Sequence, residues 1–145
     1  MASQTSTFYD QGRKVKSPVG GAVVVSVQHT LTSALASTET LKVLRLPKGV
    51  RLRPVSCTVA AFGDPDSGNN ATASLKYTDG TTTKTIIATG NLQAADTALA
   101  GTTSQNYSND FHYTENDSYY VYLTCEANDV DTATVLGFEI AYDSV

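Results

Sequence analysis

Short runs in which apolar and polar side chains alternate are the feature that most constrains the fold of this chain. In one run, Tyr119, Val121 and Leu123 fall on one face, whereas Tyr120 and Tyr122 fall on the other. Successive side chains of a β-strand point to opposite faces, so this two-residue period indicates strands with one buried face. Several such runs separated by turn residues predict an all-β fold, an antiparallel, jelly-roll-like β-sandwich.

Two turn sequences between these runs predict hairpins. Asp79-Gly80 is one of the strongest short hairpin signals. Pro47-Lys48-Gly49 suits a tight turn, so the strand before it and the strand from Val55 onward are expected to pair. The strands are predicted over residues 22–29, 41–46, 55–60, 72–78, 81–88, 119–125 and 135–141.

Two connections between strands have their own signals. Asn91 suits the N-cap of a short helix that carries Leu92, Ala95 and Leu99 at near-helical spacing and ends at Gly101. Near the carboxyl end, residues 126–131 form a polar connection between the last two predicted strands.

The chain has 145 residues, which fits a single domain placed at residues 18–145. Residues 1–17 show neither hydrophobic period and predict an extended N-terminal arm. We interpret it either as a disordered terminus or as a docking arm, because two aromatic residues precede a basic set. These residues are Phe8, Tyr9, Arg13, Lys14 and Lys16. An extended arm would reach about 55–60 Å, enough to cross onto a neighbouring subunit.

The formal net charge of −4 conceals an uneven distribution. The first 53 residues hold eight of the ten Lys and Arg residues and two acids, whereas the remainder holds two Lys and twelve acids. A bipolar chain is suited to self-association or to a partner of complementary charge. Nucleic acid is a weaker interpretation, because the acidic part of the chain would oppose phosphate.

The two cysteines, Cys57 and Cys125, lie on the apolar side of predicted strands. We expect buried free thiols, with a disulfide or a catalytic thiol as the alternatives. The first nine residues lack the apolar segment of a signal peptide, and no apolar run is long enough to span a bilayer. The protein is therefore expected to be made in a cytoplasm and to have no membrane partner.

No residue pattern indicates an enzyme, a metal site or a cofactor. His29 and His112 have no nucleophile motif and no second histidine at metal-ligand spacing. Asp64-Pro65-Asp66 lacks the closing glutamate of a calcium-binding loop. The tyrosines at 119, 120 and 122 are interpreted as sheet-face residues, with a carbohydrate-stacking platform as the alternative.

Several segments resemble small structural proteins of tailed bacteriophages. Leu41–Val50 resembles their strand that ends in a Leu-Pro-x-Gly turn, and Ala73–Gly80 resembles their Asp-Gly hairpin. Tyr120–Thr124, followed by Asp131–Ala133 and a closing strand at Ala141-Tyr142, resembles their carboxy-terminal hairpin. The likeness covers about residues 40 to 143 in the same order.

This resemblance implies a virion structural protein, specifically a head decoration (cement) protein on the capsid exterior. Its partners would be the major capsid protein and further copies of itself, with a trimer favoured over a dimer. The alternative is a receptor- or carbohydrate-binding fibre or tail module. A cell-wall hydrolase is a third, less favoured hypothesis.

The capsid-binding hypothesis assigns aromatic anchors and basic residues to the contact. The arm and a basic face from residue 42 to residue 53 supply them. They are Phe8, Tyr9, Arg13, Lys14, Lys16, Lys42, Arg45, Lys48, Arg51 and Arg53.

Overall fold

The computed structural model describes residues 3–6, 9, 22–62, 71–92, 99–101, 114 and 118–144. Among these residues Tyr9 is helical, one turn of 3₁₀ helix spans Pro54–Ser56, and the other regular elements are strands. They are β1 (Ser3–Thr5), β2 (Ala22–Thr30), β3 (Thr40–Arg45), β4 (Val50–Leu52), β5 (Thr58–Phe62), β6 (Thr72–Thr78), β7 (Thr83–Asn91), β8 (Leu99–Ala100), β9 (Tyr120–Ala127) and β10 (Val135–Ser144). The predicted all-β class is confirmed.

The strands form two sheets. Sheet A has the order β1-β3-β9-β6-β7, and sheet B has the order β2-β10-β5-β8, with β4 also paired to β10. Among the described strands, the β1–β3 pair is parallel and the other pairs are antiparallel. No helix in the described ranges has the length and apolarity needed to cross a membrane.

One hydrophobic core lies between the inner faces of the sheets. Leu75 and Leu123 of sheet A and Val59 and Phe138 of sheet B are among its members, with at most 1% of each residue exposed. Full burial of a side chain of this size contributes about 1.5–3 kcal/mol. The alternation thus places one face of each sheet in a shared core, and the predicted sandwich is confirmed.

The hairpin predicted at Asp79-Gly80 is confirmed. It joins β6 to β7, which pair antiparallel. The Oδ1 of Asp79 accepts hydrogen bonds from the backbone N–H groups of Thr81 at 2.9 Å and Thr82 at 2.7 Å. Gly80 has φ of +97°, in the left-handed region that glycine adopts without steric cost. The local sequence specifies this turn completely.

The hairpin predicted at Pro47-Lys48-Gly49 is wrong. The turn forms, with Gly49 at φ +81°, but it carries the chain from β3 in sheet A to β4 in sheet B. β3 pairs with β1 and β9, whereas β4 and β5 both pair with β10. A tight turn reverses the chain locally, but partners distant in sequence decide which strands pair.

The carboxy-terminal hairpin is also wrong. β9 lies in sheet A and β10 lies in sheet B, so their connection crosses between the sheets. Within it, Val130 and Leu35 exchange two backbone hydrogen bonds of 2.9 Å and are both fully buried. The buried Val130 therefore attaches this connection to the core, although the composition of the connection is polar.

The described ends of the predicted short helix are not helical. Asn91 is the last residue of β7, and Leu99 belongs to β8, which pairs with β5. Ala95 lies outside the described residues. Gly101, expected as the helix end, has a different role, because a Cβ there would collide with the carbonyl group of Pro54. Close backbone approach explains this glycine better than a cap.

Candidate functional site

The site is built on the outer face of sheet A, where a β-bulge brings two predicted basic residues to the same side. The register between β3 and β9 shifts between Lys42 and Leu44, and Val43 and Leu44 are both fully buried. An extra residue in one strand resets the two-residue alternation. Lys42 and Arg45 therefore share a face, although their spacing of three places them on opposite faces of a regular strand.

The amino-terminal segment completes this region. β1 pairs with the free edge of β3, and the buried Ser6 follows it. The backbone N–H of Ser6 donates to the carbonyl of Lys42 at 2.8 Å, and its Oγ donates to the carbonyl of Val43 at 2.7 Å. The same Oγ accepts from the N–H of Tyr9 at 3.0 Å. A single buried hydroxyl thus connects the bulge to the position of Tyr9.

Tyr9 packs against both cations and against β9. The Arg45 guanidinium carbon lies 4.4 Å from the Tyr9 ring centroid, and Lys42 Nζ lies 5.7 Å from it. Lys42 Nζ is also 5.0 Å from the centroid of Tyr120. All three distances fall within the range of cation–π attraction.

Three tyrosine rings link this group together. Tyr9 and Tyr120 meet edge to face at 6.1 Å and 75°, and Tyr120 and Tyr122 are tilted by 51° at 5.9 Å. We call Tyr9, Lys42, Arg45, Tyr120 and Tyr122 the aromatic–cation cluster. Arg45 is exposed, and the other four are half-buried.

The cations of the cluster differ from the described lysine of β6 on the same face, which forms an ion pair. Lys76 Nζ lies 3.4 Å from Glu126 Oε1, which also accepts a 2.6 Å hydrogen bond from Ser74. Within the described residues, no carboxylate forms an ion pair with Lys42 or Arg45. The two cations contact the rings of Tyr9 and Tyr120 and leave positive charge that an acidic group can bind.

The other predicted basic residues do not join the cluster. Arg53 forms a 2.7 Å ion pair with Asp143, and Arg51 Nε lies 3.7 Å from the same carboxylate. Both arginines belong to the region of β4, on sheet B, and Lys48 is exposed in the preceding turn. The stretch from 42 to 53 is thus divided between two sheets. Phe8, Arg13, Lys14 and Lys16 lie outside the described residues.

The sequence did not indicate Ser6 or the association of Tyr120 and Tyr122 with the basic residues. The alternation places both tyrosines on one face, but it gives no information on the neighbouring strand. The register supplies that information, since Lys42 is paired with Tyr122 and Arg45 with Tyr120. A bulge at Val43, which has no composition signal, was needed to align them.

The described residues include two free cysteines but no cluster of potential metal ligands. No group of three or more His, Cys, Asp or Glu residues among them could hold a metal ion. The predicted burial of both free thiols is confirmed, and burial raises the pKa of Cys57 and of Cys125 to about 11. Protonated thiols in the core are poor nucleophiles. His112 lies outside the described residues.

The outer face of sheet B is different. It holds an open groove of about 460 Å³ that crosses β2, β10 and β5. Phe62 lies over Gly137 there, since a Cβ on that glycine would be 3.2 Å from the ring. Glu139 is the single charged residue lining the groove. This surface is mainly apolar and lacks the cations of sheet A.

The strand arrangement is similar to that of chains in solved phage structures. The match to a chain in the capsid of Ralstonia phage GP4 has a TM-score of 0.79 and 16% identity and covers 99% of both chains. The match to a chain of the acidic stable capsid of Helicobacter pylori bacteriophage KHP30 has a TM-score of 0.56 and 14% identity, covering 83% of this chain and 86% of that one.

A third similar chain belongs to the Cyanophage Pam1 capsid asymmetric unit, with a TM-score of 0.51, 15% identity and coverage of 91% and 94%. No protein-family model matches the sequence, and no curated protein is significantly similar to it. At these identities the likeness concerns the fold alone: this chain has a β-sandwich fold that also occurs among the chains of phage capsids.

Proposed function

We propose that this protein is a non-enzymatic structural component of a phage virion that binds the outside of the capsid as a decoration protein. The observation that carries the proposal is the aromatic–cation cluster. It places two cations without an ion-pair partner among the described residues on a partly exposed face of a fold that also occurs in phage capsids. The protein would be made in the host cytoplasm and would attach to assembled major capsid protein.

The composition of the cluster suits a protein partner. Tyrosine and arginine are enriched among the residues that dominate binding energy at protein interfaces. An isolated surface ion pair contributes about 0–1 kcal/mol, so charge alone would not attach the protein. Rings that exclude water around the cations strengthen the contact, and contact with adjacent capsid subunits would multiply it.

The direct test is binding of the purified protein to capsids that lack it, measured by co-sedimentation. We expect Arg45→Ala to weaken binding at least tenfold, a change of about 1.4 kcal/mol, because Arg45 is the exposed member of the cluster. Lys84→Ala is the matched control, since it removes the same charge from β7 at the far edge of sheet A. Equal binding by the two variants would remove the cluster from the mechanism.

The basic residues of the arm need a separate test. Removing residues 1–17 would also remove β1 and the buried Ser6, so a deletion would confuse binding with folding. Replacement of Arg13, Lys14 and Lys16 by alanine retains β1. If the arm contacts an acidic capsid surface, this triple variant binds more weakly and its affinity depends less on salt. Unchanged binding would exclude these three residues from the contact.

Copy number distinguishes decoration from other places on the virion. Quantitative mass spectrometry of purified particles should find this protein in the hundreds, at a fixed ratio to the major capsid protein. A dozen copies or fewer would assign it to a fibre, neck or tail component, and its absence would overturn the proposal.

Carbohydrate binding is the second candidate, favoured by the half-buried Tyr120 and Tyr122 on the same face. The rings are tilted to each other, and Lys42 Nζ lies near Tyr120, so they do not form one flat stacking platform. A glycan array provides the discriminating measurement. Glycan binding that is lost in Tyr122→Ala, with capsid binding unchanged, would favour the receptor-binding module.

A further inference from the structure

The strands at the sheet edges are protected unequally. Unpaired edges invite association, and proteins usually shorten them, place lysine on them or distort them with bulges. β1 has three residues, and β8 has two. β7 is longer, but it carries Lys84 and its pairing with β6 has two register shifts. Of the four described strands at the ends of the two strand orders, three thus have a recognisable protection.

β2 is the exception. It has nine residues, with no charged residue and no proline, and it pairs with β10 at nine consecutive positions without a register shift. In the part of the chain that the structure describes, no strand pairs with its other edge. Val24 on this strand is 57% exposed. A long, regular, uncharged edge with an exposed valine is suited to strand addition.

We propose that β2 pairs antiparallel with β2 of a second copy of this chain and forms a two-fold dimer. Because β2 carries no charge, a second copy meets it without like-charge repulsion, and each copy offers the same edge to the other. The register that pairs all nine residues places Ser26 opposite Ser26 of the other copy. It also places Val25 opposite Val27 on the inner side, which extends the apolar core across the junction.

The dimer would have a consequence for binding. In a continuous sheet, side chains of paired residues point to the same side, so the two-fold axis is perpendicular to sheet B. Both copies of sheet A then lie on one side of the joined sheets. The dimer therefore presents two aromatic–cation clusters in the same direction. The dimer itself does not depend on capsid attachment, so its test stands apart from the proposed function.

Charge placed at two exposed positions tests both the interface and its register. In the proposed register Val24 faces Gln28 of the other copy, and their partners on β10, Ala141 and Gly137, carry no charge. Val24→Lys with Gln28→Lys sets lysine opposite lysine twice. Val24→Lys with Gln28→Glu sets lysine opposite glutamate at the same positions. Directly opposed like charges destabilise a strand pair, and opposite charges stabilise it.

Sedimentation equilibrium of the full-length chain over a concentration series gives the result. We expect a dimer for the wild type, a dissociation constant raised at least tenfold for the double-lysine variant and dimerisation retained in the lysine–glutamate variant. Circular dichroism should show both variants folded, since Val24 and Gln28 are exposed. A monomeric wild type would overturn the proposal and leave the edge to a strand of another protein. A trimer insensitive to both variants would overturn it as well.

Cross-linking provides a second readout of the register. Ser26→Cys should form an intermolecular disulfide on mild oxidation, because directly opposite residues have Cβ atoms about 4.5–5.5 Å apart. Cys57 and Cys125 are fully buried and give a low background. Ala88→Cys on β7 is the control and should cross-link much less. Equal cross-linking of the two variants would contradict the β2 interface.

Discussion

The two sheets differ in the pairing of their edge strands and in the charged residues on their outer faces. On sheet A, β1 covers the edge of β3, and the aromatic–cation cluster lies beside this covered edge. On sheet B, the edge of β2 has no paired strand among the described residues, and the adjoining groove is mainly apolar with a single carboxylate, Glu139. One face concentrates cations on aromatic rings, and the other presents backbone and apolar surface.

The difference shows that folding redistributes the uneven charge of the sequence. The basic first part of the chain supplies β1 to β4, but these strands are divided between the sheets. Arg51 and Arg53 meet Asp143 from the acidic part, whereas Lys42 and Arg45 reach tyrosines. Among the described residues, the bipolar sequence therefore gives one patch in which two cations contact tyrosine rings and one group in which two arginines pair with Asp143.

Alkaline titration should have the largest effect on the free energy of unfolding. It compares the two sheets because each sheet carries one buried thiol. Cys125 lies on β9 of sheet A, and Cys57 precedes β5 of sheet B. Burial raises both pKa values from 9.0 to about 11, so the folded state favours the neutral thiols. The contribution of the neutral thiols to the free energy of unfolding is complete below pH 9 and is lost as the pH rises to 11. The loss is on the order of 2 kcal/mol for each thiol.

Urea denaturation between pH 8 and 10 measures this loss. Cys57→Ala and Cys125→Ala should each flatten the pH dependence relative to the wild type, and the double variant should flatten it further. The window ends at pH 10 because burial also raises the pKa of Tyr142 to about 12, which adds a dependence at higher pH. A double variant with the wild-type slope would contradict the assignment to the thiols.

Ser6→Ala should weaken the protection that β1 gives to the edge of β3, and the edge of β2 serves as the comparison. The substitution removes the donor to the buried carbonyl of Val43 and the acceptor of the part-buried Tyr9 N–H. We expect a loss of about 1–3 kcal/mol in the free energy of unfolding. Hydrogen exchange should accelerate in β3 and remain unchanged in β2. Equal acceleration in both strands would mean that β1 does not protect this edge specifically.

Tyr9→Leu tests how much the cation–π contacts of the aromatic–cation cluster contribute to stability. It retains apolar bulk but removes the ring beside Lys42 and Arg45, so stability should fall by about 1 kcal/mol. Tyr9→Phe is the matched control because it retains the ring, and its stability should remain near that of the wild type. If the two variants unfold at the same urea concentration, the cation–π contacts contribute nothing measurable.

Asp143→Asn should have the smallest effect. The side chains of Arg51 and Arg53 are 37% and 40% exposed, so water and salt screen their pairing with Asp143. A loss of about 0–1 kcal/mol is expected, and it should vanish in 1 M salt. A larger loss that persists in high salt would show that this pair stabilises the β4–β10 contact more than its exposure allows.

Turns, which depend on residues close in sequence, were predicted correctly, whereas strand pairings that depend on residues distant in sequence were not. The Asp79-Gly80 turn has its donors, acceptors and glycine within a few residues, and its hairpin is confirmed. Pro47-Lys48-Gly49 specifies a turn equally well, but its hairpin is wrong, because the competing partner, β10, is distant in sequence. Lys42, Arg45 and Tyr9 were included in the predicted site, but Ser6, Tyr120 and Tyr122 were not.

The sequence by itself determined the all-β class, the burial of both cysteines and the existence of the turns. The alternation of apolar and polar residues, the β-branched side chains and the turn residues act through interactions within a few residues. The local sequence is therefore enough to favour strands and turns at these positions. Only the tertiary structure decided which strands pair, that Val43 lies in a bulge, and that Lys42 and Arg45 meet Tyr9 and Tyr120. Many pairings bury the same apolar faces, and only packing of the complete core selects among them.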